Sequence, residues 1–253
     1  MIKFKKILPY LTAAALIFFF ELSYYYYLSW LWWLLGINIC IILTILILNN
    51  FHFNKETLGF VLTPLVLCNA VFGFLLFQEN TLIKQTIIFI TCFFSWLFLH
   101  NLSVFYYNYK AYFVYSLENI SGFINLLALF FLYVSVFAFY ILSVSRLRWL
   151  IALVFCITLA LAWQTLWVNK VSSLRTRYLP WASAIITTEM FWVCHYWPTS
   201  FYVNGLILII VYYVIINLGR LYFLDSLTKK HTWRYLASSS LIVAAILATA
   251  QWT

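Results

Sequence analysis

Nine continuous apolar runs, each 17 to 23 residues long, occupy most of this 253-residue chain. They are Leu8–Tyr27, Trp30–Leu48, Leu58–Phe77, Leu82–Leu99, Ile120–Leu142, Trp149–Trp167, Tyr178–Trp197, Phe201–Gly219 and Tyr235–Gln251. A helix rises about 1.5 Å per residue, so about 20 such residues cross the hydrocarbon core of a bilayer. The runs do not alternate apolar with polar, as barrel strands do over about 10 residues. The pattern predicts an all-α, polytopic transmembrane helix bundle of about nine spans, with a range of roughly eight to ten. The connecting loops are short, and none is long and polar enough for a soluble domain. Residues 1–253 therefore read as a single integral membrane domain.

Composition closes off other classes. Hydrophobic residues make up 66% of the chain and charged residues only 8%, where a soluble domain carries about 25% charge. A soluble monomer of this length has no means of hiding so much apolar surface. Disordered chains are polar and aromatic-poor, which excludes disorder as well.

The net charge of +9 reports topology. With the N-terminus inside and loops alternating, the inner side holds 12 of the 15 Lys and Arg residues. These are Lys3, Lys5, Lys6, Lys55, Lys110, Lys170, Arg175, Arg177, Arg220, Lys229, Lys230 and Arg234, against Lys84, Arg146 and Arg148 outside. Basic loops stay on the cytoplasmic side. The expected state is a multi-pass protein of the plasma (cytoplasmic) membrane, N-terminus inside, with no nucleic-acid partner. The bilayer is its first partner, and anionic lipid headgroups at the inner basic loops are a second. The start, Lys3-Phe4-Lys5-Lys6 before an apolar run, also has the form of a signal peptide. Ala13, Ala14 and Ala15 stand mid-run and not after it, so an uncleaved first helix is expected.

One stretch fits no crossing. Leu102–Leu117 is short, with Lys110 near its middle. Phe105, Tyr109, Tyr112 and Phe113 form an aromatic stripe at helical spacing, so residues 102–117 are expected to form an interfacial helix on the cytoplasmic side. Asn101 and Asn119 open glycosylation tripeptides, but the topology places both inside, which makes them chance matches.

The first and second spans resemble the seventh and eighth. Pro9, Glu21 and Gly36 in one pair correspond to Pro180, Glu189 and Gly205 in the other. Glu to Gly is 15 residues in the first and 16 in the second. Both glutamate helices run inside to outside, so the relation would be a parallel repeat of helices 1–2 and 7–8.

Among six carboxylates, only Glu21 and Glu189 fall well inside runs. Counted from Ser29 and Pro198, both lie roughly 12–14 Å below the outer boundary. A charge at the centre of a membrane helix costs roughly 2.5–3.5 kcal/mol on insertion scales, so each glutamate is expected to face the bundle, neutral or paired. Tyr24 lies on the face of Glu21, and Trp192 and Tyr196 on that of Glu189. This makes Glu21, Glu189, Tyr24, Trp192 and Tyr196 the candidate ligand-binding residues, for a cation, a proton or an amine. The competing reading is a protonated glutamate bonded to a polar residue of a neighbouring helix, such as Asn38, Asn69, Gln164 or Asn204.

No catalytic or metal site is expected, and no cofactor. The four histidines, His52, His100, His195 and His231, lack ligand spacing. The five cysteines, Cys40, Cys68, Cys92, Cys156 and Cys194, are scattered through apolar runs, unlike a disulfide framework or zinc site. The last run, with Ala237, Ser238, Ser239, Ser240, Ala244, Ala245 and Ala248, favours close helix packing. Such packing is available within the chain or with a partner membrane subunit.

Three functional classes stay open, in this order. The first is a structural or accessory membrane subunit. The second is a transporter, or a lipid- or small-ligand-binding protein using Glu21 and Glu189. The third is an intramembrane enzyme on lipid-linked substrates, with Glu21, Glu189 or His195 as acid or base.

Overall fold

The computed structural model describes residues 2–26, 29–52, 54–107, 116–142, 146–169, 177–224 and 226–250. Among them the chain is all-α, with nine helices and no strands. They are α1 (Ile2–Tyr25), α2 (Trp30–Leu48), α3 (Lys55–Leu75), α4 (Thr81–Tyr107), α5 (Ser116–Ile141), α6 (Leu147–Val168), α7 (Tyr178–Cys194), α8 (Phe201–Phe223) and α9 (Lys229–Thr249). Seven are long and apolar enough to cross a membrane. The two that fall short are α7, with 17 residues, and α9, which opens on Lys229, Lys230, His231 and Arg234.

Helix ends follow local chemistry. Asn80 accepts from the backbone N–H groups of Leu82 and Ile83 and so starts α4. Ser200 caps α8 and Thr228 caps α9, each accepting the backbone N–H three residues on. Asn54 and Thr57 form a reciprocal cap at α3. The fourth helix runs on to Tyr107, so residues 102–107 of the expected interfacial segment continue α4. Residues 116 and 117 open α5, and 108–115 lie outside the described residues.

The chain divides into two compact units, 1–128 and 129–253, with the boundary inside α5. In the first, α1 packs on α2 and α4, and α2 and α3 lie side by side. Leu16, Phe20, Ile41, Leu67, Val71 and Phe98 form its core. Polar side chains join the helices where lipid offers them nothing. Thr12 and Thr44 hydroxyls meet at 2.8 Å. Asn38 and Asn69 exchange amide hydrogen bonds at 3.2 and 2.7 Å. Pro9 lacks an N–H, which leaves the carbonyl of Lys5 without its helical partner. Ser103 of α4 donates to that carbonyl at 3.5 Å. In the first half of α5, Phe123 packs on Phe94 with ring centres 5.0 Å apart.

In the second unit, α7 packs on α6 and α8, and α9 on α8. The second half of α5 supplies Val134 against Gly205, and Phe137 against Phe191 at 4.7 Å between ring centres. A Cβ on Gly205 would stand 2.5 Å from Val134 Cγ2 and 3.1 Å from its backbone nitrogen. Glycine is what lets the two helices approach here. Gly36, the counterpart of Gly205 in the sequence repeat, instead meets the Phe19 ring of α1. The small residues of α9 do not draw it into its unit, and Ser239 alone on this helix is buried among the described residues.

Candidate functional site

Glu21 and Glu189 stand near the ends of their helices, four residues before Tyr25 and five before Cys194. Rises of about 6 and 7.5 Å separate them from those ends. That is shallower than the count to Ser29 and Pro198 implies, because α1 ends at Tyr25 and α7 at Cys194. The two glutamates still share a depth relative to their own helices.

In the first unit, Glu21 is half-buried on the flank of α1 that meets α4. Its Oε2 accepts from Gln85 Nε2 at 3.3 Å. Gln85 is not among the partners expected from the sequence. Of those, Asn38 and Asn69 satisfy each other, and Asn204 accepts from the Thr199 hydroxyl at 2.7 Å. Tyr24 is exposed, and the Lys84 ammonium lies 5.0 Å from its ring centre, a cation–π contact. Beside them is a groove of about 270 Å³ lined by Ser23, Tyr24, Trp30, Phe72, Lys84 and Ile88.

In the second unit, the expectation that Glu189 turns inward is overturned. Glu189 is exposed, as are Trp192 at 53% and Tyr196 at 69%. The shared face inferred from helical spacing exists, but it points outward. The reason lies on the opposite side of α7. Ser183, Ala184, Thr187, Phe191 and Cys194 form a stripe of small and apolar residues that is buried. Glu189 is two residues from Thr187, hence about 200° around the helix. Packing this stripe inward forces the glutamate out. No hydrogen bond or ion pair satisfies its carboxylate among the described residues.

His195 caps the end of α7 with its ring centre 3.9 Å from that of Tyr140. Its Nδ1 is buried without a hydrogen-bond partner. Among the described residues, no three His, Cys, Asp or Glu side chains converge on a metal-sized site. Of the basic loops expected on the inner side, Lys229, Lys230 and Arg234 are exposed at the start of α9. Lys170 and Arg175 lie outside the described residues.

Two polar clusters were not legible in the sequence. In the second unit, the fully buried Tyr133 hydroxyl lies 2.9 Å from that of Thr158, with Thr187 beside it. Tyr212 is also buried, near Tyr133 and Thr165, and its hydroxyl makes no geometrically sound hydrogen bond. Tyrosine in an apolar run reads as bulk, and its hydroxyl partners come from other helices. In the first unit, the ammonium of buried Lys5 donates to Asn50 Oδ1 and to the Tyr107 hydroxyl, the latter at 2.8 Å. The Tyr107 hydroxyl in turn donates a hydrogen bond to the Leu48 carbonyl. The sequence presented Lys5 only as one of a basic N-terminal group.

Compared with known proteins, the chain matches no family model, no curated protein and no solved structure. Among the described residues, seven of its helices have the length and apolarity to cross a membrane.

Proposed function

We propose that the chain is a structural or accessory subunit of a membrane assembly, and that the outward face of α7 receives a helix of its partner. The observation that carries this reading is the exposed, unpaired carboxylate of Glu189, set among the exposed side chains of Ile185, Trp192 and Tyr196. Lipid tails offer it no donor, and an ionisable group against them is costly. A facing helix with a lysine, arginine or amide offsets that cost by a charge-assisted hydrogen bond. The exposed α9, rich in alanine and serine, adds a second surface that another helix can approach closely.

In this reading the chain is one membrane domain of the plasma membrane, with its N-terminus inside. The near-equal positions of Glu21 and Glu189 in their helices support a parallel relation of α1–α2 with α7–α8.

Photo-crosslinking in native membranes tests the proposal. A benzophenone side chain placed at Ile185 is expected to capture one membrane protein, at a site next to a basic or amide residue. Glu189→Leu should abolish that product while the purified chain melts as before. If Ile185 crosslinks only to lipid, and the chain extracted in mild detergent is monomeric, the subunit reading fails.

A second reading is ligand binding in the first unit. It is favoured by the groove beside Glu21, where the Lys84 cation and the Tyr24 ring stand together. Retention of a small molecule that is lost on Glu21→Gln, in a chain that still folds, would favour it over the first.

A further inference from the structure

A second groove, of about 390 Å³, lies between α1 and α4 at the end of the first unit that carries the chain's N-terminus. It is lined by Lys6, Tyr10, His100, Ser103, Val104 and Tyr107. No carboxylate is among these residues. Lys6 is exposed at the groove. His100 is held by stacking on Trp96, with ring centres 5.6 Å apart and planes at 26°. Tyr10 packs on both, at 5.5 Å from Trp96 and 6.1 Å from His100.

Behind the groove stands Lys5, only 7% exposed. Its partners are the amide of Asn50 and the hydroxyl and ring of Tyr107, all neutral. Neutral acceptors solvate an ammonium but do not cancel its charge, and a buried charge is costly until an opposite one comes near. The Tyr107 proton is committed to the Leu48 carbonyl, so the phenol presents its oxygen to Lys5. Tyr107 also lines the groove. The groove therefore has one positive charge, Lys6, in its lining and a second, Lys5, held behind the Tyr107 side chain that lines it. On the same helix, Ile7 and Leu11 are 53% and 51% exposed. Cationic lining and an apolar approach belong together when the ligand is an anion attached to a hydrocarbon chain.

We propose that this groove is a binding site for the phosphate of an anionic lipid. Lys6 and His100 hold the phosphate oxygens, Lys5 supplies charge from behind, and the acyl chain runs over Ile7 and Leu11. The site is independent of the α7 surface and stands or falls separately from the subunit reading.

The test reconstitutes the full chain in vesicles of equimolar phosphatidylglycerol and phosphatidylcholine. The chain is then extracted in mild detergent, and native mass spectrometry counts the lipid it retains. The wild type is expected to keep phosphatidylglycerol over phosphatidylcholine. Lys6→Gln should lower that preference by about fivefold, the equivalent of the ~1 kcal/mol that a basic residue contributes near an anionic surface. Lys6→Arg should keep it, and His100→Gln should weaken it. Lys230→Gln removes the same charge from the exposed start of α9 and should leave the preference unchanged. Equal retention of the two lipids, or an equal loss on Lys230→Gln, would overturn the proposal. Excess inorganic phosphate in the extraction buffer separates the two sources of this chemistry. Displacement of the lipid by free phosphate would overturn the lipid assignment, and its persistence supports it.

Discussion

Lys5 and Tyr107, separated by 102 positions in sequence, meet at 2.8 Å from ammonium to hydroxyl. The same hydroxyl closes on the carbonyl at the last residue of α2, so one phenol joins α1, α2 and α4. Asn50 completes the cage from a left-handed backbone position at φ 52°, which asparagine tolerates better than most residues.

This cage predicts an asymmetry between two substitutions. Tyr107→Phe leaves a buried ammonium short of an acceptor and should cost about 1.5–3 kcal/mol. Lys5→Met removes the charge together with its need and should cost less, since a buried cation replaced by an apolar isostere is often close to neutral. Thermal unfolding in one detergent compares them. A Lys5→Met variant less stable than Tyr107→Phe would contradict the account.

The glycines separate packing from propensity. Gly205→Ala places a methyl group 2.5 Å from Val134 Cγ2 and 3.1 Å from its backbone nitrogen. Backbone cannot step aside as a side chain can, and overpacking of this kind costs about 1–3 kcal/mol. At Gly122, also in a helix, an added methyl group would meet nothing within 4 Å. Gly122→Ala should therefore be neutral or stabilise by up to ~1 kcal/mol through helix propensity. Melting temperatures of the two variants should move in opposite directions or differ clearly in size.

The Asn38–Asn69 amide pair lends itself to a double-mutant cycle. Asn38→Leu, Asn69→Leu and the double variant should give a coupling of roughly 0.6–1.7 kcal/mol, the range found for hydrogen bonds between membrane helices. A coupling near zero would mean that each amide finds another partner once the first is gone. Asn69 has one within reach, since it already donates to Leu65 O at 2.7 Å.

The two glutamates should behave differently in the isolated chain. Glu21→Leu loses the bond to Gln85 and should cost about 0.6 kcal/mol. Glu189→Leu loses no described partner and removes a carboxylate from an exposed face, so stability should stay level or rise. Steric trapping or denaturant titration in detergent reads both. Marked destabilisation by Glu189→Leu alone would show that α7 depends on that carboxylate internally.

The nine helices of the described residues were legible because an apolar run of sufficient length has few alternatives in lipid, where each backbone group must be satisfied within its own helix. The bounds agree most closely at α2, where the run and the helix are both Trp30–Leu48. They disagree at α4, which continues past His100 to Tyr107. Its last turn packs its aromatics on α3, with Phe60 6.3 Å from both Phe105 and Tyr106 between ring centres. Polar residues such as Asn101 and Ser103 read as a break when only hydropathy is counted. Both have partners within the fold, Asn101 donating to Leu97 O and Ser103 to Lys5 O.

Length and apolarity thus determined by themselves that the described chain is all-α, with seven helices long and apolar enough to cross a membrane, because those properties are summed along the chain. Which way each helix turns was decided by tertiary packing. The cost of a carboxylate in lipid argued that Glu189 points inward, yet Ser183, Ala184, Thr187 and Phe191 take the inward side of α7 and rotate it out. Helix rotation follows the best total fit of a whole face, and one unfavourable residue does not outweigh it. Lys5 shows the converse. Its acceptors, Asn50 and Tyr107, come from the α2–α3 turn and from α4, and only the folded chain brings them within reach of its ammonium.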